Sequence, residues 1–151
     1  MKQRIFRMIK KPPLLAYALG LDPIVGRLVL LLTTTGRKTG LSRITPLQYE
    51  EINGLYYVAS ATGTKADWYR NLVANPQVEV QVRRKRFKGN AETTTDPSRI
   101  ADLLEYRLAQ HPRMVGAMMK ASGLPSKPSR AQLEDYALNR ALVIIRPVSD
   151  A

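Results

Sequence analysis

The chain contains no cysteine and a single histidine, His111. Disulfides and thiolate metal sites are therefore excluded, and a zinc or non-haem iron centre has little to be built from. His111 lies in Gln-His-Pro-Arg with no nucleophile motif beside it. It reads as a loop or helix-end histidine rather than a catalytic base or a metal ligand. Acids are also scarce: 12 Asp and Glu stand against 24 Lys and Arg, a net charge of +12. That surplus favours an anionic partner, and nucleic acid, acidic lipid and a polyanionic cofactor all qualify. Long hydrophobic runs are missing too. Leu14 to Leu32 is broken by Gly20, Asp22, Pro23, Gly26 and Arg27, short of the roughly 20 apolar residues a membrane span needs. Internal repeats and low-complexity segments are absent.

What is present suits one domain of 151 residues with a core of its own. The cations cluster in three places: Lys2 to Lys11, Arg37 to Arg43, and Arg83-Arg84-Lys85-Arg86-Phe87-Lys88. Residues 1–27 read as an N-terminal helical segment. Met1 to Lys11 is a short basic amphipathic helix stopped by Pro12-Pro13, and Leu14 to Leu21 is apolar. The pair imitates a signal peptide, but the apolar run is short and Asp22-Pro23 interrupts it. The expectation is a cytoplasmic protein whose first helix touches the anionic inner face of the membrane or covers the core.

The richest stretch is Thr33-Thr34-Thr35-Gly36-Arg37-Lys38-Thr39-Gly40, followed by Arg43 and Pro46. It joins two strand-like runs, Leu28 to Thr34 and Arg43 to Glu51. Hydroxyls, glycine turns and Arg/Lys side chains together have the chemistry of an anion cradle. An ordinary solvated hairpin turn is the competing reading of the same residues. Asn53-Gly54 marks a tight hairpin into a third strand, Leu55 to Ser60. Asp67 to Ala74 reads as a short helix ended by Asn75-Pro76. Gln77 to Val82 alternates as a strand, and Phe87 to Thr95 is its hairpin partner. Asp96 and Pro97 open a helix running through Leu108. Met114 to Ala121 and Gln132 to Asn139 are further helical stretches, and Ala141 to Val148 closes as a strand. The count is six strands, with the helical insertion 96–139 before the last. Antiparallel strands in that order suggest a small barrel with peripheral helices.

The ordered set Leu30 to Gly40, Arg43, Pro46-Leu47, Val58-Ala59-Ser60, Asp67-Trp68-Tyr69-Arg70-Asn71-Leu72-Val73-Ala74-Asn75-Pro76 and Val78 to Val82 resembles the deazaflavin-dependent nitroreductase family. These are split-barrel oxidoreductases that use reduced coenzyme F-420. The resemblance implies a mainly β fold: a six-stranded antiparallel split barrel, similar to FMN-binding split barrels, formed by residues 1–151 as one domain. It implies hydride transfer from the reduced deazaflavin to an electron-poor small molecule such as a quinone, enone or nitroaromatic. By resemblance Arg37, Lys38 and Arg43 would bind phosphate and tail carboxylates, helped by backbone amides at Thr39 and Gly40. Pro46 and Gln48 would lie along the deazaflavin, with Val58, Ala59 and Ser60 at the ring edge. Lys65 and Trp68 would close the site. Ser60 or Tyr136 would serve as proton donor, with water as the alternative. Asn71 is either a hydrogen-bonder behind the cofactor or a clip between helix and strand.

Other readings remain beside this one. FMN also carries a phosphate, so the cradle does not separate the two cofactors. A nucleic-acid-binding barrel would use Arg83 to Lys88, but needs stacking aromatics on that face, and only Phe87 is there. A lipid-binding barrel would use the N-terminal segment and the apolar insert. Met114, Met118, Met119 and Leu124 are core or an adaptable lid. The expected partner is a small-molecule acceptor, the assembly a monomer or homodimer.

Overall fold

The computed structural model describes residues 29–60 and 62–148. The expected N-terminal segment, Leu28 and Ala61 lie outside them.

Seven strands form one antiparallel sheet: β1 (Val29–Thr35), β2 (Ser42–Gln48), β3 (Glu50–Ile52), β4 (Leu55–Ser60), β5 (Gln77–Val82), β6 (Lys85–Thr94) and β7 (Ala141–Pro147). Their order across the sheet is β2-β1-β5-β6-β7-β4-β3. β2 and β3 are separated in the chain by Tyr49 alone, yet they occupy opposite ends of that order. A sheet whose two edges are joined through one residue must curl on itself. The expected barrel is therefore found, with seven strands rather than six. The expected single strand Arg43 to Glu51 breaks at Tyr49, because β2 pairs with β1 while β3 pairs with β4. Tyr49 is buried at this corner.

Alternation fills the interior. Leu30, Leu32, Val58, Val78, Val80, Val82, Val143 and Ile145 point inward from four strands and form one core with Tyr49, Tyr56, Tyr69 and Leu72. Among the described residues four helices accompany the sheet: α1 (Asp67–Ala74), α2 (Pro97–Gln110), α3 (Pro112–Ala121) and α4 (Arg130–Ala137). The last three build a second core outside the barrel, in which Leu142 and Ile144 of β7 meet Ile100, Leu104, Val115, Met119 and Leu133. β7 is thus covered on both faces, which explains its unbroken apolar run Ala141 to Ile145. Met119 belongs to this core, Met114 is half-buried against it and Met118 is exposed. Core packing accounts for most of the methionine stripe.

Start signals placed the helices well. Asp96 accepts from the Ser98 amide at 3.0 Å with Pro97 at the first helical position. α4 begins two residues before the expected Gln132, behind a capping box of Ser129 and Gln132. Arg130 then ties α4 to α2 through Asp102 and Glu105. The β5–β6 hairpin turns earlier than expected. Its two-residue turn is Arg83-Arg84, with Arg83 at φ 54° and β6 starting at Lys85. Arginine carries no turn signal, so the expected start at Phe87 was late.

Candidate functional site

The turn between β1 and β2 is locked by its own backbone. The Gly36 amide donates to the Leu41 carbonyl at 2.7 Å, and the Gly40 amide donates to the Gly36 carbonyl at 2.8 Å. Gly40 sits at φ 70°, where glycine is favoured. The Leu41 amide donates to the Thr39 hydroxyl at 3.2 Å. The expectation that the Gly40 amide is offered to an anion is therefore corrected, since that donor closes the turn.

α1 packs beside this turn and anchors it through Asn71. The Asn71 Oδ1 accepts from the Arg37 amide at 3.1 Å and from Arg37 Nη1 at 2.9 Å. Its Nδ2 donates to Thr34 Oγ1 at 3.4 Å. Arg37 Nη2 also reaches Asp67 Oδ1 at 3.1 Å. The result is a cavity of about 380 Å³ lined by Gly36, Arg37, Lys38, Thr39, Arg43, Thr45, Asp67, Trp68 and Asn71. Arg37 is paired with the exposed carboxylate of Asp67. Among the described residues Lys38 and Arg43 have no such carboxylate. Two uncompensated cations on a polar cavity, with an indole as wall, are a receptor for an anion joined to a flat apolar body. Asp67 and Thr45 were not expected here. An aspartate opening a helix reads as a cap, so the sequence carried no signal of its second use.

The other expected residues lie elsewhere. Pro46 and Gln48 are exposed on β2. Val58 is fully buried in the barrel core, so it presents no ring edge, and Ala59 is half-buried on the opposite pleat of β4. Ser60 is buried and its hydroxyl donates to the Gly63 carbonyl at 2.7 Å. Lys65 is exposed in the 3-10 turn Gly63–Lys65 and does not line the cavity. Tyr136 packs on the outer core, with the Arg140 guanidinium carbon 3.4 Å above its ring centroid. In the basic hairpin Phe87 is half-buried, its ring 5.1 Å from that of Tyr56. The strand thus offers cations without an outward aromatic.

A second cavity, of about 370 Å³, opens where β2 passes into β3 and is lined by Gln48, Tyr49, Glu50, Glu51, Asn53, Arg83, Arg107, His111 and Met114. His111, at the junction of α2 and α3, reaches Glu50 Oε1 through Nε2 at 3.0 Å. Burial pushes the phenols of Tyr49 and Tyr56 above their ordinary 10.0; the Arg83 cation opposes this at both, and Glu51 reinforces it. A raised folded-state value means the contribution to stability is whole below pH 10 and is lost as pH rises through the raised values. Urea melts of a Tyr49→Phe, Tyr56→Phe variant are therefore expected to lose less stability than the parent between about pH 8 and pH 11. Equal losses in the two proteins would refute this.

A family model of F-420H(2)-dependent quinone reductases matches residues 20–122. The chain belongs to this family. An F-420H(2)-dependent quinone reductase of Mycobacterium tuberculosis is 44% identical over 61 residues, 38% of this chain and 41% of that one. The match thus spans about two fifths of the length of that curated relative. Among solved structures, an F-420-H2 dependent reductase is 25% identical with a TM-score of 0.54, covering 80% of this chain and 95% of its own. The haem storage protein of Vibrio cholerae, 14% identical with a TM-score of 0.55, covers 92% and 90% and shares the fold alone. Within the family match lie the cradle, α1 and the cavity at Arg107. Among the described residues no helix is long and apolar enough to cross a membrane.

Proposed function

We propose that this chain is an oxidoreductase that binds reduced coenzyme F-420 and passes a hydride to an electron-poor small molecule of the quinone, enone or nitroaromatic type. The observation that carries this reading is the cradle, where Lys38 and Arg43 have no carboxylate partner among the described residues, in a cavity walled by Trp68. The coenzyme ends in a phosphodiester and a glutamate tail, and these cations match those anions. When bound, the deazaflavin supplies the hydride, and the protein supplies position and electrostatics.

Lys38 and Arg43 hold the anionic tail. Arg37, fixed by Asn71 and Asp67, shapes the floor and offers its remaining N–H groups. The Trp68 indole shields the inner end from water. Pro46 and Gln48 are exposed on edge strand β2, on the opposite pleat from Arg43 and Thr45, and there they offer a surface to the ring. The Ser60 hydroxyl donates its hydrogen bond to the Gly63 carbonyl and Tyr136 lies beneath Arg140, so protonation of the product falls to solvent. This differs from the roles the resemblance implied for those two residues.

Trp68 is the one tryptophan of the chain, so its emission reports on the cradle directly. Titration with coenzyme F-420, beside FMN, is expected to quench Trp68 with saturation, and more tightly for the deazaflavin. Raising the salt from about 50 to 500 mM should weaken binding, because the exposed cations become screened. Tighter binding of FMN would move the protein to flavin chemistry. Saturation by neither would overturn the proposal.

A further inference from the structure

Arg107 is 9% exposed, and its Nε is buried without a hydrogen bond among the described residues. Glu50 Oε1 lies 3.5 Å from that Nε, close enough for charge attraction but not aligned as an acceptor. Arg107 Nη2 approaches Gln48 Oε1 at 3.5 Å, again long. A buried guanidinium normally satisfies its fork of donors, because each N–H left unmade costs free energy. Here the guanidinium lines a 370 Å³ cavity with its donors underused. Tyr49 and Met114 contribute apolar wall to the same cavity.

We infer that this cavity receives the electron acceptor and that Arg107, with the Gln48 amide nitrogen, binds the acceptor's carbonyl oxygen. The inference rests on the oxidoreductase reading and names the site of its second substrate. β2 serves both cavities: Arg43 and Thr45 line the cradle, and Gln48 lies roughly 17 Å further along the strand than Arg43. A quinone that accepts a hydride becomes a hydroquinone monoanion, its two electrons coming from the reduced deazaflavin. One proton from solvent then completes the hydroquinone. Charge develops on the quinone oxygen, and a guanidinium already in place stabilises it without reorganising. Glu50 is a positioning residue: it holds Arg107 from β3 and is itself held by His111.

The test uses the full chain loaded with oxidised coenzyme F-420 and menadione as the probe. Menadione affinity is read by ligand-observed NMR, and kcat and KM are read separately with reduced coenzyme. Arg107→Met and Gln48→Leu are each expected to weaken menadione binding about 10–100-fold, and Arg107→Met should leave coenzyme affinity within about twofold. Gln48 is exposed, so its variant keeps the test valid if Arg107→Met folds poorly. Glu50→Gln, which loosens the tie but leaves the guanidinium, should lower the melting temperature and keep menadione affinity within about threefold. Arg107→Lys should restore part of the affinity lost in Arg107→Met. Unchanged menadione affinity in Gln48→Leu and in folded Arg107→Met would overturn the inference. A loss in Glu50→Gln as large as in Arg107→Met would also overturn it, by making Arg107 a structural strut. Failure of the parent protein to bind coenzyme F-420 is a different result and strikes the oxidoreductase reading. Menadione binding to the unloaded chain still reads the cavity in that case.

Discussion

Replacing Lys38 and Arg43 together with alanine is expected to weaken coenzyme F-420 binding by about 100–1,000-fold, with each single change costing about tenfold or more. Both side chains reach the cradle without a carboxylate partner among the described residues, so an anion gains their charge. Arg37 differs. Its guanidinium is already spent on Asp67 and Asn71, so Arg37→Ala removes a cation and releases an opposing carboxylate at once. Its cost in affinity should therefore be smaller than that of Arg43→Ala. By the same logic Asp67→Asn should tighten binding a few-fold, because a carboxylate 87% exposed on the cavity no longer repels the tail. The double variant should also lose most of the salt dependence. Trp68 quenching at two ionic strengths checks all of these. Melting temperatures should stay near the parent value, since neither cation holds another part of the fold. Affinity within threefold of the parent in the double variant would refute the cradle as the tail site.

How far the sequence carried this reading depends on the kind of signal involved. Alternating Val78, Val80 and Val82, the Asn53-Gly54 turn and the Asp96-Pro97 helix start are local, and the structure follows each of them. The split of Arg43 to Glu51 into two strands is not local. Tyr49 continues the alternation, and only the pairing of β2 and β3 at opposite edges reveals the corner. The Arg83-Arg84 turn was hidden for another reason, because its residues are not turn-formers. At the site, Arg37, Lys38, Thr39 and Arg43 were readable from charge and pattern, Trp68 only from the family resemblance, and the five line one cavity. Val58 and Ser60 shared the same pattern, but their pleat points them into the barrel. The cluster of Gln48, Glu50, Arg107 and His111 was out of reach, since its members are up to 63 residues apart and meet only through the packing of α2 on β3.

Asn71→Leu is expected to be the most damaging single change to the fold near the site. Asn71 is 4% exposed and joins three elements: its oxygen takes two N–H groups of Arg37, its nitrogen gives to Thr34, and its backbone carbonyl accepts from Asn75 at the end of α1. Leucine has nearly the same size, so packing alone predicts a mild effect. Hydrogen bonding predicts the reverse. The Arg37 amide and the Thr34 hydroxyl, itself 1% exposed, would be left without the partner they have now. Stranding buried polar groups costs about 1–3 kcal/mol each, so a loss of about 2–4 kcal/mol is expected. For a chain of this length that is a fall in melting temperature of about 5–15 °C. Coenzyme affinity should fall as well, because Arg37 would keep only its exposed contact with Asp67 and the turn would lose its fixed orientation. The pair of phenotypes separates the two roles: Lys38 and Arg43 bind without supporting the fold, whereas Asn71 supports the fold and binds through Arg37. A melting temperature within about 2 °C of the parent would show that the turn holds itself through Gly36, Gly40 and Leu41 alone.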